Sequence, residues 1–270
     1  MNEFDLIERL IPSLPTNDSV VAGAGDDCAV LDLGLPDHLV LFKTDAVVEG
    51  IHFTCETAPE KIGRKALARG LSDVAAMAGT PTHALVTLGL PRDFEPEFVE
   101  KIYQGINRLA ARCNVAISGG ETTTNPERIF ISIALLGKVA KGRCVFRRGA
   151  QAGDAIFVTG SLGGSLLGRH LEFEPRLTEA RWLAEHFPIH AMVDLSDGLA
   201  GDLRHLLKAS HVGAELLAAA IPVSHAARLH RRPSPEVQNK IRTSLPQTAQ
   251  SKSPLLAALT DGEDFELLFT

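Results

Sequence analysis

The sequence predicts an α/β (α+β) protein built in two halves, and three observations carry that prediction. Short apolar runs alternate with segments whose apolar residues recur at helical spacing, the pattern of strands connected through helices. With 45% hydrophobic and 22% charged residues among 270, the chain has enough apolar material for one large core or two smaller ones, and too much for disorder. Acid residues gather in six short clusters, most of them beside glycine or in a strand-to-helix turn: GAGDDC (23–28), KTDAVVEGIHF (43–53), LSDVAAM (71–77), SGGETT (118–123), DLSDGL (194–199) and TDGEDFEL (260–267).

The elements follow in order. Phe4, Ile7, Leu10 and Ile11 recur at helical spacing, and Pro12 and Pro15 close that first helix. Past a glycine-rich turn come strands over 29–33 and 38–44. Pro59 suits an early helix position, and its helix runs to about Met77, with Gly79 as the stop and Pro81 beyond. A strand over 83–89, a helix over 96–113, a short strand over 115–118 and a longer one over 129–139 complete the first half. After a stretch rich in glycine and arginine, 141–154, the second half opens with a strand over 155–159 and the turn GSLGGS. Helices near 162–171 and over 178–187, a strand over 189–193 and a helix over 196–209 follow. The halves are expected to be domains of residues 1–145 and 146–270. FELLF (265–269) reads as a buried strand, and the sequence stops one residue later with no cap, turn or polar tail. The expectation is a truncated second domain whose last strand lacks its next neighbour.

Composition excludes several classes of function. The acidic start MNEFDLIERLI has no basic region followed by an apolar core, so no signal peptide is expected, and no apolar run approaches the roughly 18 residues of a membrane span. Cys28, Cys55, Cys113 and Cys144 lie far apart without CxxC, which fits reduced thiols and a cytoplasmic location better than disulfides or zinc. A net charge of −6 argues against nucleic acid as partner. The basic stretch at 228–252 sits among prolines, serines and glutamines and reads as a solvated loop. GxxxxGK[ST], HExxH and GxSxG are absent, Gly23 and Gly25 lack the third glycine of a dinucleotide fingerprint, and the histidines have no metal spacing.

One carboxylate at a turn is usually a helix cap or a solvated end. Six clusters beside glycine need a further account. Carboxylate oxygens hold hard cations such as Mg²⁺, and glycine lets the backbone approach the phosphates that such ions accompany. The set therefore reads as a polyphosphate site assembled around metal ions.

GDDCAVL (25–31), TDAVVEGIHF (44–53), KALARGLSDVAAMAG (65–79), GGETT (119–123), RRGAQAGDAIFVTGSLG (147–163), DLSDGLAGDL (194–203) and DGEDFELLFT (261–270) together resemble, in order and approximate spacing, the motif series of the thiamine-monophosphate kinase family. That family belongs with aminoimidazole ribonucleotide synthetase and selenophosphate synthetase. The resemblance implies an N-terminal domain that forms a β-barrel shared with a second subunit in a homodimer, and ATP with several Mg²⁺ ions at the cleft between the domains. It implies phosphorylation of thiamine monophosphate to thiamine diphosphate by direct transfer, with no nucleophilic residue on the enzyme. By position, Asp27, Asp45, Asp73, Asp194 and Asp197 match metal-binding carboxylates, with Thr44 adding a hydroxyl or carbonyl ligand. Tyr103, Gly120, Glu121, Arg147 and Ser196 match nucleotide contacts, Glu121 also as a metal ligand, and His52 and Glu263 match contacts to thiamine monophosphate.

Simpler readings stand beside these. Asp73 can pair with Arg69 one turn earlier, Asp194 and Asp197 can cap the helix that begins near Ser196, and His52 can be a packed core histidine. The chain also departs from the family pattern: Glu121 stands where the family has aspartate, Asp261 replaces a glycine, and an aromatic C-terminal segment is absent from these residues. Two alternatives remain open, a sister ATP-dependent enzyme of the same superfamily and a non-catalytic nucleotide-binding dimer.

Overall fold

A computed structural model describes residues 3–229 and 252–270. The first half opens with helix α1 (Glu3–Leu10) and continues through strands β1 (Val20–Ala22), β2 (Ala29–Leu31) and β3 (His38–Val48), helix α2 (Pro59–Ala76), strand β4 (Thr80–Leu90), helix α3 (Pro96–Arg112) and strands β5 (Ala116–Thr124) and β6 (Phe130–Ala140). The six strands form one sheet in the order β1-β2-β3-β6-β4-β5. Every pairing is antiparallel except β4 with β5, which α3 joins as a crossover. Strand β3 runs four residues past its predicted end because its backbone keeps pairing with β6 as far as Val48 opposite Phe130, although Asp45 interrupts the apolar pattern.

Alternation along β3 divides the sheet into two faces. Leu39, Leu41 and Val47 point into the core, and Lys43 and Asp45 share that face. The opposite face carries Phe42, its register partner Leu136, and Leu85, which are 47%, 39% and 49% exposed. Helix α2 lies behind the inner face, against β3, β6 and α3, and is buried along most of its length. It approaches α3 closely through two glycine notches. A Cβ at Gly63 would stand 1.9 Å from the Ile102 carbonyl oxygen, and one at Gly105 would stand 1.9 Å from that of Glu60.

The second half contains β7 (Phe157–Val158), α4 (Leu177–His186), β8 (Met192–Asp194), α5 (Leu199–Ser210), α6 (His225–Leu229), α7 (Pro254–Thr260) and β9 (Leu267–Phe269). Where one helix was predicted near 162–171, two short 3₁₀ turns form instead, because Gly163, Gly164 and Gly168 take positive φ and interrupt the helical path. The basic stretch predicted as a loop lies outside the described residues from 230 to 251. One expectation is overturned outright. FELLF is not left with a missing neighbour: β9 is the central strand of a three-stranded sheet, antiparallel to β7 on one side and to β8 on the other.

One core cluster runs through both halves. It joins α2, α3 and the large sheet to Phe173, Leu177, Ala180, Met192, Phe265 and Leu267. A second cluster fills the space between the small sheet and α5, around Val193, Leu199, Leu203, Leu206 and Leu268. Phe173 stacks on Phe265 with ring centres 4.0 Å apart, and the surface pairs Lys61–Glu172 and Arg64–Glu174 reinforce the seam at 2.9 and 2.8 Å. All four cysteines are free thiols. Among the described residues no helix is long and apolar enough to cross a membrane.

Candidate active site

Three acid residues converge where α2 meets the start of β2 and the end of β8. Asp27 comes from the glycine-rich turn, Asp73 from the buried side of α2 and Asp194 from the last position of β8, and one oxygen of each lies within 4.8 Å of the other two. All three side chains are buried. Asp27 Oδ1 accepts from Nε of Arg147 at 3.1 Å and from its Nη2, Asp73 Oδ1 accepts from Lys43 Nζ at 2.8 Å, and Asp194 Oδ2 accepts from Ser72 Oγ at 2.7 Å. Asp27 Oδ2 is buried with no partner.

Burial of charge in a crowded acidic cluster is costly, and the proton affinities show it. Burial and then the neighbouring Asp27 charge push Asp194 up to about 6. Burial and then Asp194 raise Asp73 well above the usual carboxylate range. Burial also raises Asp27, against the pull of Arg147. Nearby Asp202 is pushed up to about 8, by burial and then by Asp194. Three carboxylates, one of them with an orphaned buried oxygen, offer the all-oxygen chemistry that fits a hard divalent cation.

A second constellation adjoins the first through β3 and α2. Arg69 donates from Nε to Asp45 Oδ2 at 2.8 Å and from Nη2 to Asp45 Oδ1 at 3.3 Å, while its Nη1 reaches Glu263 Oε1 at 3.1 Å. Lys65, almost wholly buried, pairs with Glu263 and donates to the His52 carbonyl at 2.8 Å. His52 Nδ1 accepts from the Val48 amide at 3.1 Å, which assigns the proton of the neutral ring to Nε2. Burial first, and Arg69 second, lower its pKa and favour that neutral form. Residues 263–265 are held in an unusual backbone path, with Glu263 and Phe265 at φ 57° and 49°. That path is pinned by the Glu263 amide on the Ser196 carbonyl and the Phe265 amide on the Leu195 carbonyl, both at 2.7 Å, and by Asp264 accepting from the Gly163 amide at 2.8 Å.

A shallow cleft of about 370 Å³ opens beside β5, lined by Tyr103, Ile117, Gly119, Gly120, Glu121 and Thr122. Gly120 is required there, since a Cβ would stand 1.8 Å from the Val86 carbonyl oxygen of the neighbouring strand. A further hollow of about 410 Å³ lies beyond Gly160 to Ser165 and is walled by Arg169, Arg176 and buried Glu266.

The structure thus brings Asp27, Asp73, Asp194 and Arg147 together, sets Asp45, His52 and Glu263 in a linked group, and places Tyr103, Gly120 and Glu121 around one cleft. Others stand apart. The Thr44 hydroxyl lies on the opposite face of β3, 3.3 Å from Ser132 Oγ. Asp197 is exposed, with its amide on Asp202 Oδ2 at 2.9 Å, and Glu121 is exposed with Oε1 on the Thr122 amide. Two simpler readings are corrected. Arg69 turns to Asp45 and Glu263, leaving Asp73 to Lys43, and α5 begins at Leu199 after Gly198 with no side-chain cap from Asp194 or Asp197.

Sequence reasoning missed Lys43, Lys65, Arg69, Ser72 and Asp202. A signal was present for three of them. Lys65, Arg69 and Asp73 recur every four residues along one side of a helix buried on most of its surface, and Lys43 shares the inward phase of β3 with Leu41 and Asp45. Charges at inward positions mark a site.

A glycine-bounded acid cluster at the seam of two α/β halves defines a class, and the family models agree with it. Residues 25–139 match the AIR synthase related protein N-terminal domain, and residues 151–236 match the corresponding C-terminal domain. The chain is 41% identical over 257 residues to a thiamine-monophosphate kinase of Rhodopirellula baltica, covering 93% of this chain and 76% of that one. It is 33% identical to the thiamine-monophosphate kinase of Escherichia coli (strain K12), over 99% of this chain and 82% of that one. It also superposes on a solved structure of AaThiL complexed with AMPPCP and TMP, with a TM-score of 0.82 and 31% identity over 99% of this chain and 84% of that chain. The chain belongs to the thiamine-monophosphate kinase family.

Proposed function

We propose that this chain transfers the terminal phosphoryl group of ATP to thiamine monophosphate, giving thiamine diphosphate and ADP, by direct in-line transfer with Mg²⁺. The observation that carries the reading is the buried Asp27–Asp73–Asp194 cluster with its unpaired Asp27 oxygen. Its kinase relatives and the neighbour complexed with AMPPCP and TMP support the donor and acceptor.

The acceptor is itself a phosphate with a second pKa of about 6, so it is largely ionised near neutral pH and needs no general base. The difficulty is electrostatic, because two polyanions must meet. Mg²⁺, when bound, would neutralise that repulsion and clamp the transfer geometry. Asp27, Asp73 and Asp194 would hold one such ion; Asp45, Asp197, Glu121 and Thr44, which lie outside that cluster, are proposed as ligands of further ions. Arg147, which holds Asp27 by two donors, is assigned to the nucleotide together with Tyr103, Gly120, Glu121 and Ser196. His52 and Glu263 are assigned to the acceptor, where Lys65 and Arg69 fix the Glu263 carboxylate and keep cationic charge beside an incoming phosphate.

ADP release in a coupled assay is expected to require both thiamine monophosphate and free divalent metal, and to stop with excess chelator. Intact ATP binding without acceptor-dependent ADP release would favour a non-catalytic nucleotide-binding protein instead.

The same reading divides the chain near residue 145 into two domains and places it in the cytoplasm. It also makes the protein a homodimer that pairs the exposed sheet faces around Phe42, Leu85 and Leu136 in a shared barrel. Light scattering should report twice the 28.9 kDa chain mass at micromolar concentration, and Phe42→Asp should shift it toward monomer. A wild-type protein that is monomeric under those conditions would remove the shared barrel.

A further inference from the structure

We propose that Lys43 supplies a built-in cation to the carboxylate cluster, which competes with the first divalent ion and gives way when a nucleotide's phosphates enter. The proposal rests on the metal-site reading given above.

Lys43 sits on the inward face of β3, between Leu41 and Asp45, with its ammonium 2.8 Å from Asp73 Oδ1 and a side chain 25% exposed. The charged groups that act on it are Asp73 on α2, its strand neighbour Asp45, and Asp194 on β8, and its own charge acts in turn on Asp27. It therefore sets a cationic charge in direct contact with one of the three carboxylates that would hold a divalent ion.

The two protein cations at the cluster are differently held. Arg147 grips Asp27 through two donors of a rigid fork. Lys43 holds Asp73 through a single ammonium on a flexible stem, and an ammonium is a compact point charge that can move to another anion. Asp73 is already balanced by Lys43, so a divalent ion that enters beside it meets a like charge. Entry of metal alone is thus opposed by the lysine. Nucleotide phosphates supply the anion to which its ammonium can transfer, so metal and nucleotide enter together more readily than metal alone.

The test measures Mn²⁺ binding by electron paramagnetic resonance for the wild-type chain, Lys43→Met and Lys43→Arg, each with and without AMPPCP. Lys43→Met is expected to bind Mn²⁺ at least about tenfold more tightly than wild type without nucleotide, because a like charge a few ångströms away is removed. Lys43→Arg should stay near wild type, and the gap should shrink when AMPPCP is present. Equal or weaker Mn²⁺ binding by a folded Lys43→Met would overturn the proposal and leave Lys43 a structural counter-ion. Wild type and both variants failing to bind Mn²⁺ even with AMPPCP would fell the metal-site reading itself, and the proposal with it.

Discussion

Two buried acidic centres in this protein treat their oxygens in opposite ways. At Glu266 every lone pair has an owner: Thr159 Oγ1 donates at 2.7 Å, Arg176 donates at 2.7 and 2.9 Å, and Arg169 closes the remaining side. At Asp27, Asp73 and Asp194, three carboxylates share Arg147, Lys43 and Ser72, and the buried Asp27 Oδ2 is left without a partner. A buried carboxylate is costly unless it is paired and hydrogen-bonded. The first centre meets that cost within the chain and ties the start of the glycine turn to α4 and β9. The second meets it only in part, which is the state expected of a site that awaits a ligand. Burial of an acid residue therefore says little about its role; the state of its last oxygen says more.

The largest expected effect separates the two centres by activity. Asp73→Asn should lower kcat/KM by on the order of a thousandfold, since the charge stabilisation at stake is several kcal/mol, while its thermal midpoint stays at or above that of wild type because a repelled charge is gone. Glu266→Gln should do the reverse. It leaves two guanidiniums facing a neutral amide and should cost about 2–3 kcal/mol in urea unfolding, less than for a fully buried pair because both arginines reach solvent. The kcat/KM of its folded fraction should remain within about tenfold of wild type. Similar losses of activity and stability in both variants would erase the distinction between the centres.

A gentler probe is pH, read at Asp202 on the edge of the acid cluster. Its carboxyl titrates at about 8 in the fold, against an ordinary 3.8, so the folded chain keeps a proton that the unfolded chain has released. Its contribution is full below about pH 4 and is lost as pH rises through about 8, at no more than about 1.4 kcal/mol per pH unit. Asp202→Asn retains an acceptor for the Asp197 amide and should flatten that decline, with its advantage growing from about pH 5 to about pH 8 in chelator-treated protein. Parallel stability curves for wild type and variant would show that Asp202 ionises normally.

Much of the architecture was legible because local signals and tertiary packing agree. Pro59 and Pro96 open α2 and α3 where proline is favoured, and the strand predicted over 129–139 differs by one residue at each end from β6. The acid clusters brought Asp27, Asp73 and Asp194 to notice as separate motifs, but only the fold could join a turn, a helix and a strand end into one group. The cationic half of the site was less readable. Lysine and arginine are solvated at most helix and strand positions, so the spacing of Lys65, Arg69 and Asp73 and the inward phase of Lys43 point to a site only once the buried faces are known. Strand β1 was too short to show a pattern, and the place of β9 depended on partners far away in sequence.

That last strand also bears on the order in which the molecule is put together. Phe269 pairs with Phe157 and with Met192, so the small sheet is closed only across long stretches of chain. Its outer strands, β7 and β8, touch β9 and not each other. During synthesis, or on refolding, the helices and large sheet of the first half can gather through contacts nearer in sequence, whereas β8 acquires its strand partner only when residues 267–269 arrive. Because β8 carries Asp194, the strand at one corner of the acid cluster gains its sheet partner late, although α2 and the Phe146 carbonyl already engage it. The Asp194 corner is thereby the last of the three to be fixed, after the turn and helix that carry Asp27 and Asp73.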